Sequence, residues 1–203
     1  MAAPPRGPSR SPGAAHILPV REFPWPRSRW LHACLAPSLL AALGAGCVHR
    51  VPTSWDAAAH IACAGSTCFH AGDLGTPWLL VRKEDGAVGF FSPAGGGVVE
   101  AKATCRDDAE AAPLSSLTNQ LLIGYTDRRV RAVERLLLDG HETLHSVIET
   151  KLDGLNVILD LYVTRRNGCI YDLSYAAAPG RYGDGLPAFR RFVAGFAAAR
   201  SAS

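Results

Sequence analysis

Methionine occurs only at position 1, and several catalytic signatures are missing altogether. There is no G-x-S-x-G, so nothing marks a nucleophile elbow. The glycine run Gly95-Gly96-Gly97 has no Gly-Lys-Ser/Thr after it, which excludes a phosphate-cradling loop and leaves a flexible hairpin tip. No Cys–His pair is identifiable by sequence context, and no paired carboxylates stand out for general acid–base work. Acid is scarce at the N-terminal end, where Arg6, Arg10, Arg21, Arg27 and Arg29 precede Cys47 against Glu22 alone. The formal charge of +3 therefore belongs to that segment; from Cys47 onward 16 Lys and Arg face 17 Asp and Glu. Such a balance gives the rest of the chain no general attraction for nucleic acid.

What is present at the N-terminal end points to export. Residues 1 to 26 are rich in Pro, Ser, Gly and Arg, and cannot bury enough apolar surface to offset the entropy of ordering. They are expected to be disordered. Arg27 and Arg29 then precede an apolar run from Trp30 to Val48, which ends on the small residues Gly44, Ala45 and Gly46 before Cys47. A basic region, an apolar region and small residues make a secretory signal. Leu43-Gly44-Ala45-Gly46-Cys47 resembles the lipobox of bacterial lipoproteins, in which the cysteine becomes the lipidated first residue. The usual leucine three places before the cysteine is Gly44 here, with Leu43 one place earlier. The resemblance implies a lipid anchor at Cys47, a membrane as partner and a place in the cell envelope, at the outer membrane or on a periplasmic face. Val48 after the cysteine, where Asp would retain, is consistent with outer-membrane sorting by the same resemblance. The alternatives are an ordinary cleaved signal and an uncleaved anchor.

Three regions follow: residues 1 to 46 as extension and signal, 47 to 77 as a tether with its own cysteines, and 78 to 203 as the folded domain. With Cys34 in the signal and Cys47 acylated, Cys63, Cys68, Cys105 and Cys169 remain for up to two disulfides with three possible pairings. The local pairing, Cys63 with Cys68, would leave Cys105 with Cys169.

The stretch from Arg128 to Ala176 organises the domain. Asp139-Gly140, Asp153-Gly154 and Asn167-Gly168 punctuate it at intervals of 14 residues. Asx-Gly between apolar runs marks two-residue hairpin turns, because a type I′ turn needs positive φ at both central residues. Between the turns the residues alternate. Leu144, Ile148 and Leu152 oppose His141, Thr143, His145, Glu149 and Lys151; further on, Leu155, Val157, Leu159, Leu161 and Val163 oppose Asn156, Asp160 and Thr164. Cys169, Tyr171, Leu173 and Tyr175 share a side, and the first segment, Arg128 to Leu138, alternates less cleanly. The pattern predicts a four-stranded antiparallel meander with one buried and one wetter face.

Around it, Ser54 to Ala62 suits a helical turn capped by Ser54, and Gly65 to Gly75 a loop. Trp78–Arg82, Val88–Phe91 and Val98–Thr104 read as strands, and Leu114 to Ile123 as a helix stopped by Gly124. Pro179 to Gly185 reads as a loop. Phe189, Phe192, Val193 and Phe196 then form one helical stripe, with Pro187 suited to the first turn.

The meander, the strand Cys169-Ile170-Tyr171-Asp172-Leu173, a Pro-containing loop and the closing Phe189-Arg190-Arg191-Phe192-Val193-Ala194-Gly195-Phe196 helix resemble the Mog1/PsbP-like fold. That family comprises photosystem accessory proteins, a nuclear transport factor and many bacterial lipoproteins. The resemblance, over roughly residues 78 to 198, implies an α+β fold: an antiparallel meander packed with helices as an α/β/α sandwich. It further implies a non-enzymatic accessory or binding module, with an envelope protein or small ligand as partner. It carries no family site residues with it.

One motif competes. His141-Glu142-Thr143-Leu144-His145 satisfies H-E-x-x-H, which in zinc peptidases sets two histidines one helical turn apart with a glutamate base beside them. On a strand, the two histidines share a face but stand about 13 Å apart, too far for one zinc. No third ligand follows at the expected spacing. A zinc-dependent metallopeptidase using His141, Glu142 and His145 is therefore the alternative, and absence of catalysis and cofactor the expectation. His60, Cys63, Cys68 and His70 offer a second set of possible metal ligands within 11 residues, although in an exported protein a disulfide is the commoner fate of such cysteines. Arg128, Arg129, Arg131, Arg135, Arg165 and Arg166 read as solvation and edge protection, and Asp172 as the outward residue of its strand.

Overall fold

The structure, a computed structural model, describes residues 52–95, 97–107 and 109–199. The expected disordered extension, the signal and the lipidation site at Cys47 lie outside the described residues. The first surprise is at the start. Thr53 to His70 forms three short strands, β1 (Thr53–Asp56), β2 (Ile61–Ala64) and β3 (Thr67–His70), where a helical turn and a loop were expected. Ser54 caps nothing. Asp56 turns the chain instead, its Oδ1 accepting from the N–H groups of Ala58 at 2.9 Å and Ala59 at 3.0 Å.

The chain continues through β4 (Leu79–Glu84), β5 (Ala87–Ser92), β6 (Gly97–Cys105) and α1 (Leu114–Leu121). The meander follows as β7 (Tyr125–Leu138), β8 (His141–Leu152), β9 (Leu155–Arg166) and β10 (Cys169–Ala177), and the chain closes with α2 (Tyr182–Ala194) and β11 (Ala197–Ala198). The predicted meander is therefore present, extended by three residues at its first strand. Asp139, Asp153 and Asn167 take φ of 50°, 50° and 53°, and the glycine after each 76°, 81° and 70°. Both central residues of each turn are left-handed, as a type I′ turn demands. The weaker alternation of β7 has a cause: two register shifts against β8, at Thr126/Arg129 and Val130/Ala132.

Seven antiparallel strands form one sheet in the order β4-β5-β6-β10-β9-β8-β7. The two helices cover opposite faces, which is the expected α+β sandwich. Alternation along β10 sends Tyr171, Leu173 and Tyr175 to the face packed by Phe189, Phe192 and Val193 of α2. Ile170 goes to the other face, with Leu144 and Val163 beneath Leu114 and Leu117 of α1. α2 starts at Tyr182, so Pro187 lies inside the helix rather than in its first turn, and the expected loop is shorter. Tertiary bonding holds this start in place: Tyr175 O–H donates to the Tyr182 carbonyl at 3.1 Å.

The small sheet β1-β2-β3-β11 joins the same apolar cluster through Ala62 and Phe69, with Ala71 and Leu74 following, so residues 53 to 77 are part of the domain and not a tether to it. Its exit passes very close to the end of α2. A Cβ on Gly72 would lie 2.0 Å from the Arg191 carbonyl oxygen, and Gly72 N–H donates to the Phe192 carbonyl at 2.8 Å.

Cys63 is bonded to Cys68, and Cys105 to Cys169, at sequence separations of 5 and 64. The longer closure removes more freedom from the unfolded chain, about 4 against about 2 kcal/mol in the chain-entropy account. Replacing Cys105 and Cys169 together by Ser is expected to lower the unfolding free energy about twice as much as replacing Cys63 and Cys68. Denaturant titration of the two double variants measures the difference.

Candidate functional site

The H-E-x-x-H residues lie on β8, so His141 and His145 are spread along a strand. His145 is taken up elsewhere. Its side chain is 12% exposed, and both ring nitrogens are hydrogen-bonded at 2.7 Å, Nδ1 to Glu134 Oε1 on β7 and Nε2 to Asp160 Oδ1 on β9. Asp160 is buried, and its other oxygen accepts from Tyr182 O–H at 2.6 Å. The Tyr162 ring stacks on the imidazole with centroids 4.1 Å apart and meets Phe189 of α2 edge-on. The result is a line of four polar groups, Glu134, His145, Asp160 and Tyr182, running from the exposed edge strand to the start of α2.

The electrostatics follow from the arrangement. Burial works against a charged His145, but the hydrogen bonds and charges of Asp160 and Glu134 outweigh it and hold the imidazole above its usual range. As an imidazolium it donates to both carboxylates. Burial pushes the Tyr162 hydroxyl up to about 12, and burial with the Asp160 hydrogen bond raises that of Tyr182. Neither ring nitrogen of His145 is free to take a proton from a substrate or to bind a metal.

Glu134 and Asp160 were missed in the sequence, though a signal existed. Pairing outward from Asp139-Gly140 sets Leu138 opposite His141 and therefore Glu134 opposite His145. Pairing outward from Asp153-Gly154 sets Asp160 opposite Val147, a diagonal neighbour of His145.

The second proposed ligand set also disperses. Cys63 and Cys68 are consumed by their disulfide, and the His60 ring stacks near-parallel on Trp55 with centroids 6.1 Å apart. Among the described residues no group of three or more His, Cys, Asp or Glu side chains is placed to hold a metal ion. His60 instead borders a recess of about 170 Å³ whose walls include Trp55, Leu74, Trp78, Phe90 and Phe192. Asp172 is not an open surface residue either. It lines a recess of about 130 Å³ with Glu100, Lys102 and Tyr125, and burial pushes its carboxyl up to about 7 against the pull of Lys102. The arginines are engaged: Arg129 and Arg131 with Glu149, Arg135 with Glu142, Arg166 with Asp139, and Arg165 with the carbonyls of Glu110 and Ala112.

No protein-family model matches the sequence, and no curated protein is similar to it. Solved structures are similar in fold. LpqN of Mycobacterium tuberculosis, described as involved in cell envelope biogenesis, superposes with a TM-score of 0.50 at 10% identity, over 75% of this chain and 92% of that one. Cyanobacterial PsbP of Synechocystis gives 0.42 at 11% identity, over 79% of this chain and 99% of that one. A protein of Bacteroides thetaiotaomicron gives 0.47 at 11% identity over 68% of this chain, which spans 46% of that chain's length. The likeness to LpqN is one of fold.

Two titrations should separate in pH. A raised histidine contributes stability below its unfolded value of 6.5 and loses it as pH climbs through the higher folded value. His145→Gln should therefore abolish a fall in stability above pH 6.5 that the parent chain shows, read from urea midpoints. A raised carboxyl acts lower: stability is lost between the unfolded value of 3.8 and the folded value of about 7. Asp172→Asn should melt several degrees higher than the parent above pH 7 and with little difference near pH 4, the crossover being set by these two values.

Proposed function

We propose that this chain is a lipid-anchored accessory or binding module of the cell envelope that acts without catalysis. The observation that carries the non-catalytic reading is the state of His145. A zinc peptidase needs His141 and His145 one helical turn apart with free ring nitrogens, whereas here the pair is extended along β8 and His145 is committed to Glu134 and Asp160.

The envelope part rests on different support. The apolar segment ending in Gly44-Ala45-Gly46-Cys47 suits an exported, acylated chain, and two disulfides suit an oxidising compartment. LpqN, which shares the fold, is described as involved in cell envelope biogenesis. The recess walled by Trp55, Trp78 and Phe90 is the place for a small apolar or aromatic ligand, should the module carry one.

Intact and native mass spectrometry of the full chain purified from membranes tests both parts. The expected result is a chain beginning at an acylated Cys47, with two disulfides and no zinc. A mature chain beginning upstream of Cys47 would overturn the anchor. Stoichiometric zinc that is lost on His145→Ala would overturn the non-catalytic reading and restore the peptidase.

A further inference from the structure

α1 has only eight residues and packs on the middle of its face, against Leu144, Val163 and Ile170. Two flanks of that face stay open. On one, Leu79, Phe91 and Val98 stand in a single cross-strand row over β4, β5 and β6, exposed by 54%, 42% and 43%. Val81, at the register shift of the edge strand, is exposed by 61%, whereas Leu80 pairs with Phe90 and lies on the opposite, α2 face. The other flank, on β7, exposes Val130, Val133 and Leu137.

The route of the chain distinguishes them. Pro52 bridges Glu84 at the end of β4, so the chain enters the domain beside the first flank. Pro52 is five residue steps from Cys47, a reach of at most about 18 Å. Leu79 lies about 17 Å along β4 from Glu84, within the span that an anchored domain can lay against a bilayer. β7 is six strand spacings away across the sheet, about 29 Å, beyond that reach. The side chains agree. β7 interleaves its apolar residues with Arg128, Arg129, Arg131 and Arg135, whereas no charged residue interrupts the cross-strand row Leu79–Phe91–Val98 and Arg82 beside it is paired with Glu100 at 2.8 Å.

We propose that the row Leu79–Phe91–Val98 is a membrane-docking surface, seated at the headgroup–acyl boundary of the bilayer in which Cys47 is anchored. This rests on the anchor reading above. The contact fixes the orientation of the domain: the β4 edge lies down, and β7 with its arginines faces away from the lipid.

The test uses the full, acylated chain in phosphatidylcholine vesicles carrying brominated acyl chains. Cleavage before Cys47 leaves Trp55 and Trp78 as the native tryptophans, and their signal is subtracted as that of the parent protein. Phe91→Trp and Val98→Trp should each add blue-shifted emission that bromolipid quenches, and Leu137→Trp on β7 should add emission that it does not. Adding Leu79→Asp to Val98→Trp should abolish the quenching. Unquenched emission at both Phe91→Trp and Val98→Trp, or equal quenching at Leu137→Trp, overturns the docking surface. Intact mass of the same sample tells the two failures apart: acylated Cys47 with unquenched emission sinks docking alone. An unacylated chain that leaves the vesicles sinks the anchor as well.

Discussion

Two-residue turns leave a meander no slack, and most of this domain depends on that constraint. With Asp139-Gly140 and Asp153-Gly154 both left-handed, each residue near the turns has one possible partner across the strand. A slip of one residue would move every side chain of β8 to the opposite face. His145 would leave the α2 face, and Asp160 would stay buried without a counter-charge. Losing one partner of a buried ion pair costs several kcal/mol, roughly 3–5. The turns set the register and the Glu134–His145–Asp160 line penalises any other.

The same line ties the sheet to its helix. Tyr182 opens α2 by donating to Asp160, and Tyr162, stacked on His145, meets Phe189 about two turns further along. Phe189 and Phe192 are fully buried, and Phe90 and Trp55 continue the aromatic contacts into the small sheet. The close passage of Gly72 over Arg191 and the pairing of β11 with β3 then lock the first strands to the last helix. The α2 side of the sandwich is thus filled, which leaves the other face, the edges and the recess beside His60 as the open surfaces among the described residues.

How much of this could be read in advance follows from how local each signal is. The meander, its turns and the sandwich class were legible because Asx-Gly dipeptides and period-two alternation are properties of neighbours in sequence. The strands from Thr53 to His70 were not: four-residue strands of Ala, Cys and Thr carry no period, and they exist because the Cys63–Cys68 bond, Phe69 and β11 hold them. The start of α2 was misjudged for the same reason, since Tyr182 is fixed by partners on β9 and β10. At His145 the motif was visible and its partners were not, because Glu134 sits on a strand whose two register shifts blur the alternation. Asp172 does point away from the main core, but the overhang of Leu121 and Tyr125 makes its exit a recess rather than open water.

The two edges of the sheet show how one constraint can be met in two ways. An open seven-stranded sheet presents unpaired backbone at both ends, and each end needs protection from pairing with another chain. β7 is 14 residues long and relies on charge and irregularity: four arginines, each held by a carboxylate or carbonyl, and two register shifts. β4 is six residues long, carries a shift at Leu80/Arg82, ends in Arg82-Lys83-Glu84 and has that end bridged by Pro52, so shortness, three charges and the bridge do what the arginines do on β7. The charges of β4 are confined to Arg82, Lys83 and Glu84 at its far end, which leaves the Leu79 end free to continue the apolar row of Phe91 and Val98. These apolar residues occur beside the point where the chain arrives and without the arginines that interleave Val130, Val133 and Leu137 on β7, which is the arrangement that the proposed lipid contact calls for.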